Sequence, residues 1–166
     1  EEKDGIVLKA EKRFTKKQLE EMLSHVRHGE PTYPGEIWVM AEHDREHLHA
    51  ATLELLGKAR ELAATLQVKA GALLVGHGVE SLAKGLFACG ADKVYSLEHP
   101  LLEDFDPVAW RKVVADAVVS HKPGILLFSA TPQGRTLAPM VAYRTNNGLT
   151  ADCTAFDIRD FTSKDK

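Results

Sequence analysis

The chain has 166 residues and a formal net charge of -3. That length suits one well-cored domain with an appendage, and that charge gives no broad attraction to nucleic acid or an acidic membrane. Hydrophobic residues at 44% and charged residues at 27% exclude disordered and fibrous classes, and no apolar run approaches the ~20 residues that cross a bilayer.

No short apolar segment near the start resembles a signal peptide, so an intracellular protein is expected. Cys89 and Cys153 lie far apart in apolar contexts without a CxxC pattern, which reads as two reduced core residues rather than a disulfide. The chain begins at Glu1 without methionine and stops in the charged tail Thr162–Lys166. Both ends are expected to be cut from something longer.

Residues 1–35 read as a helical extension and linker. Thr15 and Gln18 form a capping box, and Leu19, Met22, Leu23 and Val26 follow at helical spacing before Gly29. Glu30–Gly35 is then an extended connector, because its prolines disfavour both helix and ladder.

Ile37–Ala41 is the first strand. It opens into Glu42–His49, a polar loop holding His43, His47 and His49. These histidines beside carboxylates suggest a metal, yet the loop lacks the rigid support that makes ligands converge, and a solvated turn is the simpler reading. A helix follows from Thr52 to Leu66 with Leu55, Ala59, Leu62, Ala63 and Leu66 on one face, and Ala70–Val75 is the second strand.

Gly76-His77-Gly78 comes next, similar to the start of a dinucleotide fingerprint. The third glycine position is Ser81, and the next strand, taken as Lys93–Leu97, ends without an acidic residue. The glycines are expected to serve a tight turn into a helix over Val79–Cys89, stopped by Gly90.

After the third strand, Asp106 as cap and Pro107 in the first turn announce a helix whose buried face carries Trp110, Val113, Val114, Ala117, Val118 and His121. Ile125–Phe128 is an apolar run that fits a strand buried on both faces. It breaks at Ser129 into Ala130-Thr131-Pro132-Gln133-Gly134-Arg135 and a helix to about Arg144. A helix start favours anions, because its first N–H groups are unpaired. By spacing alone, Thr131 is either a cap with Arg135 a solvated charge, or part of a ligand contact. Leu149–Ile158 is expected as a fifth strand.

The alternation of strands and helices predicts a parallel sheet covered on both faces, with right-handed crossovers. Its first and fourth strands should be neighbours where the strand order reverses. Ligands occupy that crevice in such sheets, which would bring Glu42–His49 near Thr131–Arg135.

From about Ile37 to Ile158 the chain resembles the N-terminal domain of the alpha subunit of electron transfer flavoproteins. The resemblance rests on I-W-V-M-A-E-H at Ile37–His43, L-E-L-L-G-K-A-R-E-L-A at Leu53–Ala63, G-A-D-K-V-Y at Gly90–Tyr95, and A-T-P-Q-G-R-T-L-A-P with G-L-T-A-D-C-T inside Ser129–Thr154. It implies an α/β, three-layer Rossmann-like domain of the adenine nucleotide alpha hydrolase type over residues 36–159. The sheet would be mostly parallel, with central strand order 3-2-1-4-5, and residues 160–166 would start a linker to a missing C-terminal FAD domain.

The resemblance further implies a heterodimer with a beta subunit of similar fold, and dehydrogenase or reductase redox partners. One FAD lies in the alpha subunit's C-terminal domain, and the beta subunit holds AMP or, in electron-bifurcating members, a second FAD. No FAD is expected on this chain alone. The extension over residues 1–35 looks like the connector that follows an iron–sulfur module in some members, although no ligating cysteine run is present.

On this reading the domain is a scaffold and dimerisation surface of an electron carrier in a bacterial or archaeal cytoplasm, with no catalytic residue, metal or nucleic acid of its own. The absence of a nucleophile–base pair agrees with that. Thr131, Gln133, Gly134 and Arg135 are the candidate contacts to a partner's flavin or to a nucleotide, Arg135 steadying negative charge on the reduced flavin. The competing reading is a stand-alone AMP- or ATP-binding module similar to universal stress proteins. A hydrolase with a metal held by the histidine loop ranks third.

Overall fold

The five residues Ile37–Ala41, fully buried and without a charge, can only be a central strand, and they form β1 at the middle of the sheet. In the computed structural model, residues 35–158 are described, all within one unit spanning residues 33–166. The helix read over Thr15–Gly29, the connector up to Pro34 and the linker at 160–166 lie outside the described residues.

β1 pairs in parallel with β2 (Ala70–Gly76) from Ile37↔Ala70 to Ala41↔Leu74. On its other side it pairs with β4 (Ile125–Leu127) from Ile37↔Ile125 to Val39↔Leu127. β3 (Lys93–Glu98) pairs with β2, so the order is β3-β2-β1-β4. The connections carry α1 (Ala50–Leu66), a 3-10 turn with α2 (Ala83–Ala88), α3 (Pro107–His121) and, after β4, α4 (Pro132–Thr145).

Period-two alternation in β1 divides the core. Ile37, Val39 and Ala41 pack with Leu56, Ala59 and Leu86 beneath α1 and α2, while Trp38 and Met40 pack with Trp110, Val114, Leu137 and Val141 beneath α3 and α4. The three-layer α/β architecture expected from the sequence is therefore present. Its two outer helices start as the sequence announced. Asp106 accepts the N–H groups of Val108 and Ala109 at 2.8 Å each, and Thr131 accepts that of Gly134 at 3.1 Å, each cap followed by a proline at the first helical position.

Three elements differ from expectation. Leu149–Ile158 forms no strand: Asp152 sits at φ 54°, in the left-handed region, which ends an extended run, and only Phe156 and Ile158 reach the core. β4 is three residues long and lies at the edge of the sheet, so Ile125, Leu126 and Phe128 are half-buried. The helix read over Val79–Cys89 divides into the 3-10 turn Glu80–Leu82 and the short α2. Gly90, at φ 105° with the Arg60 side chain filling its Cβ direction, does end it. Of the predicted α3 face, Trp110, Val114, Ala117 and Val118 are buried, whereas Val113 is half-buried and His121 exposed; of the two cysteines expected in the core, Cys89 is half-buried and Cys153 exposed, on the turn that follows Asp152.

At the N-terminal edge of the sheet, the Glu36 carboxylate accepts from Trp38 Nε1 and from the Tyr95 hydroxyl at 2.8 Å each and pairs with the Lys93 ammonium. Trp38 lies 4.3 Å from Tyr95 between ring centroids, in space that Gly71 leaves open, since a Cβ there would stand 2.6 Å from the Trp38 ring. Burial pushes the Glu36 carboxyl up, but the hydrogen bonds from Lys93, Trp38 and Tyr95 outweigh it and hold it below its ordinary 4.5.

A group depressed in the folded state stabilises fully above its unfolded value and loses that contribution as pH falls through the folded one. Glu36→Gln should therefore cost ~1 kcal/mol at pH 7, the partial solvent access lowering the usual worth of a charged hydrogen bond. In urea melts across pH, the wild-type and E36Q stabilities should draw together progressively as the pH falls below 4.5 through the depressed value of Glu36.

Candidate functional site

β1 and β4 are neighbours and their crossovers leave in opposite directions, so the reversal of strand order falls between them, where open α/β sheets place ligands. The chain there delivers Glu42, the residue after β1, against the turn Ser129–Thr131 that leads into α4. Thr131 Oγ1 lies 2.7 and 2.8 Å from the two Glu42 carboxylate oxygens and donates its proton to them. The expected meeting of the two segments is thus made by one glutamate and one threonine.

Glu42 is 6% exposed, and among the described residues no lysine or arginine pairs with it. Its backbone is held as firmly as its side chain: its N–H donates to Thr52 Oγ1 at 2.8 Å, and its carbonyl accepts from Thr52 Oγ1 at 3.2 Å and from the His49 N–H at 2.9 Å. A buried carboxylate without a cation is held by dipoles, and the start of α4 supplies one. Gly134 is required beside it, since a Cβ would fall 2.0 Å from the Ser129 carbonyl oxygen and 3.1 Å from Glu42 Oε1.

The four sequence candidates separate accordingly. Thr131 and Gly134 face the Glu42 carboxylate or each other. Gln133 is half-buried. Arg135 is turned outward, its Nε donating to the Ala130 carbonyl at 3.1 Å and its terminal nitrogen standing 2.6 Å from Asp152, with about half of each side chain or more in solvent.

The second turn at this end of the sheet is filled in the same manner. β3 runs one residue further than expected and ends on Glu98, 20 residues beyond Gly78, whose carboxylate accepts the N–H groups of Gly78 at 2.8 Å and Val79 at 3.0 Å. The acidic residue that the sequence reading found missing is therefore present, but it binds the glycine turn itself. Gly78 has φ 69°, which a glycine adopts without strain.

The histidines of the 42–49 loop serve separate tasks. His43 holds the Val75 carbonyl through Nε2 at 2.9 Å and accepts the Arg45 N–H at Nδ1, so both ring nitrogens are engaged. His49 caps α1 by accepting the Ala51 N–H. His47 lies 3.6 Å from Asp44, whose carboxyl is held below the ordinary range by the backbone N–H groups of His47 and Glu46. Arg45 reaches across to Glu103 and Asp104. Among the described residues no group of three or more His, Cys, Asp or Glu side chains is disposed to hold a metal, and no helix is long and apolar enough to cross a membrane.

Residues 37–164 match the family model of the electron transfer flavoprotein domain. The chain is 43% identical over 123 residues to an electron transfer flavoprotein subunit alpha from Thermoanaerobacterium thermosaccharolyticum, covering 74% of this chain and 37% of that protein. It is 38% identical over 147 residues to Protein FixB of Azorhizobium caulinodans, covering 87% and 38%. To the subunit LctC of a lactate dehydrogenase (NAD(+),ferredoxin) from Acetobacterium woodii it is 40% identical over 126 residues, covering 76% and 30%. The chain thus spans between 30% and 38% of the length of these relatives.

The Glu42 carboxyl thus meets α4 through the hydroxyl of Thr131, the residue that caps the helix. The Glu42–Thr131 contact also makes a stability prediction. Thr131→Val removes both the helix cap and the hydroxyl that meets the buried Glu42 carboxylate, and should cost about 2–4 kcal/mol in chemical denaturation, whereas Thr131→Ser should stay within ~1 kcal/mol of the wild type.

Proposed function

The chain belongs to the electron transfer flavoprotein family, as the N-terminal domain of an alpha subunit, and from that premise we propose that it serves as scaffold and heterodimerisation domain of a flavin-based electron carrier. The observation that carries this reading is the crevice itself. Glu98 accepts the N–H groups of the glycine turn after β2, and Thr131 caps α4 while its hydroxyl holds the buried Glu42 carboxyl, so both turns are braced from within the described residues, which supports a domain that serves chemistry housed elsewhere in the assembly. The family match does not favour a stand-alone nucleotide-binding module.

The flavin would be FAD bound by the alpha subunit's C-terminal domain, with a beta subunit of similar fold completing the pair and dehydrogenases or reductases as redox partners. The relative from Acetobacterium woodii bears NAD(+) and ferredoxin in its name, which supports a carrier that divides electrons between two acceptors. Within this chain, Arg135 and Gln133 are the crevice-rim residues left to meet the partner. The Arg135–Asp152 pair is exposed and so costs little to exchange for another anion.

Reconstitution of the full-length alpha subunit with a beta subunit tests this. Arg135→Ala should weaken the heterodimer about tenfold, equivalent to ~1.4 kcal/mol, and should lower the flavin's reduction potential by removing a cation that favours the reduced anion. Unchanged affinity and potential would remove Arg135 from the interface. Failure of the wild-type chains to associate would remove the scaffold reading.

A further inference from the structure

At the end of the sheet away from the crevice, two oxidisable rings share one proton acceptor. Trp38 Nε1 and the Tyr95 hydroxyl both donate to the same Glu36 oxygen, Oε2, at 2.8 Å each, and the two ring centroids lie 4.3 Å apart. We propose that Trp38, Tyr95 and Glu36 form a proton-coupled electron relay, which carries an oxidising equivalent from the buried indole to the half-buried phenol, where a small reductant in solution quenches it. The role protects the core from one-electron oxidants, goes beyond the subunit assignment and does not rest on it.

Trp38 is 0% exposed and Tyr95 half-buried, so the pair runs from the core outward. Rings in contact need no bridge for an electron to pass, and the harder requirement is the proton. An indole or phenol that loses an electron becomes a strong acid, and it gives the electron up readily only where a base already accepts its hydrogen bond. Glu36 is that base for both rings. The other polar group on the Tyr95 oxygen is Lys93, 3.5 Å away, a cation that takes up no proton and pairs with Glu36 itself.

The protonation states agree with the geometry. Burial raises the Glu36 carboxyl, but the hydrogen bonds from Lys93, Trp38 and Tyr95 outweigh it and hold it below 4.5, whereas burial and then Glu36 push the Tyr95 phenol above its ordinary 10. Near neutral pH the acceptor is ionised and both donors keep their protons. Trp110, the other tryptophan of the chain, lacks such an outlet: its Nε1 donates to the Asp104 carbonyl at 3.2 Å, which is no base, and its ring neighbours are Phe105 and His43.

The steps balance. A one-electron oxidant takes an electron from Trp38, and the indole N–H proton passes to Glu36, leaving a neutral indolyl radical beside a protonated carboxyl. Tyr95 then gives an electron to that radical. Its hydroxyl proton moves to Glu36 as the carboxyl returns the first proton to the indole nitrogen, so Trp38 is restored, Tyr95 is a neutral phenoxyl radical and Glu36 holds one proton. Ascorbate or a thiol supplies the last electron, and Glu36 returns its proton to the phenol oxygen.

The test is flash photolysis of the purified chain, with light at the red edge of indole absorption ejecting an electron from tryptophan and dissolved oxygen scavenging it. In the wild type, part of the indolyl radical signal should decay as a phenoxyl signal rises, and ascorbate should erase the phenoxyl signal. Tyr95→Phe, which keeps the ring and removes the transferable proton, should lose that phase. Glu36→Gln, which keeps the volume and removes the base, should slow it at least about tenfold. A wild type without the phase, a phase that persists in Y95F, a rate in E36Q equal to that of the wild type, or a phenoxyl signal that ascorbate leaves untouched overturns the proposal. If E36Q does not fold, Y95F decides: loss of the phase supports the relay, and its persistence ends it.

Discussion

The contact between Glu42 and Thr131 ties the end of β1 to the start of α4. A carboxylate taken out of water without a counter-ion faces a penalty of several kcal/mol, and the described residues offer it no lysine or arginine. What offsets that penalty is geometry: a hydroxyl donor at 2.7–2.8 Å and a helix start aimed at the same point. The backbone of the same residue is clamped by Thr52 and His49 at the beginning of α1. One residue therefore fixes the end of β1, the entry to α1 and the entry to α4, and the only side chain small enough to lie beside it at position 134 is that of glycine.

This arrangement separates two uses of one fold. A doubly wound sheet presents helix starts and glycine turns at the carboxyl ends of its strands, and those groups bind phosphates when nothing else satisfies them. Here Glu98 takes up the N–H groups of the glycine turn and Thr131 caps α4 while its hydroxyl holds Glu42, and Arg45 bridges to Glu103 and Asp104 across the same end of the sheet. The crest is thereby held together by the chain's own charges. A surface of that kind is suited to rigid presentation to another subunit, because its shape does not wait on a ligand.

Much of the architecture could be read in the residues, since period-two and period-3.6 patterns report directly on which face is buried. The caps at Asp106 and Thr131, the stop at Gly90 and the adjacency of β1 and β4 followed from local chemistry and from the crossover rule. Glu42 was visible in the run Ile37–His43 yet unremarkable, because a glutamate after a strand is ordinarily solvated and only the folded neighbourhood shows its 6% exposure. Glu98 was missed for a smaller reason: ending β3 at Leu97 removed the acidic residue from the strand end, and strand boundaries are the least certain feature of a pattern. Thr52 and Asp152 gave no signal, since their contacts to Glu42 and Arg135 follow no helix or strand period and are set by how the loops fold.

The segment Leu149–Ile158 shows what pattern alone cannot weigh. Its alternation suggested a strand, but a strand beside β4 would need a continuous extended backbone, and Asp152 in the left-handed region breaks it. The pair between Asp152 and Arg135 holds that turn against the first turn of α4, and Phe156 with Ile158 brings the chain back to the core. β4 is consequently bordered by side chains rather than by a ladder, with a cavity of about 620 Å³ along Leu126, Phe128 and Val141. A long bare edge would recruit foreign strands, whereas one of three residues crossed by a charged turn resists them. Arg135, which pairs with Asp152 in that turn, also stands at the rim of the crevice. The first turn of α4 therefore touches both the crevice, through Thr131, and the turn that crosses β4, through Arg135, and of the two only the exposed Arg135–Asp152 pair can be exchanged at little cost.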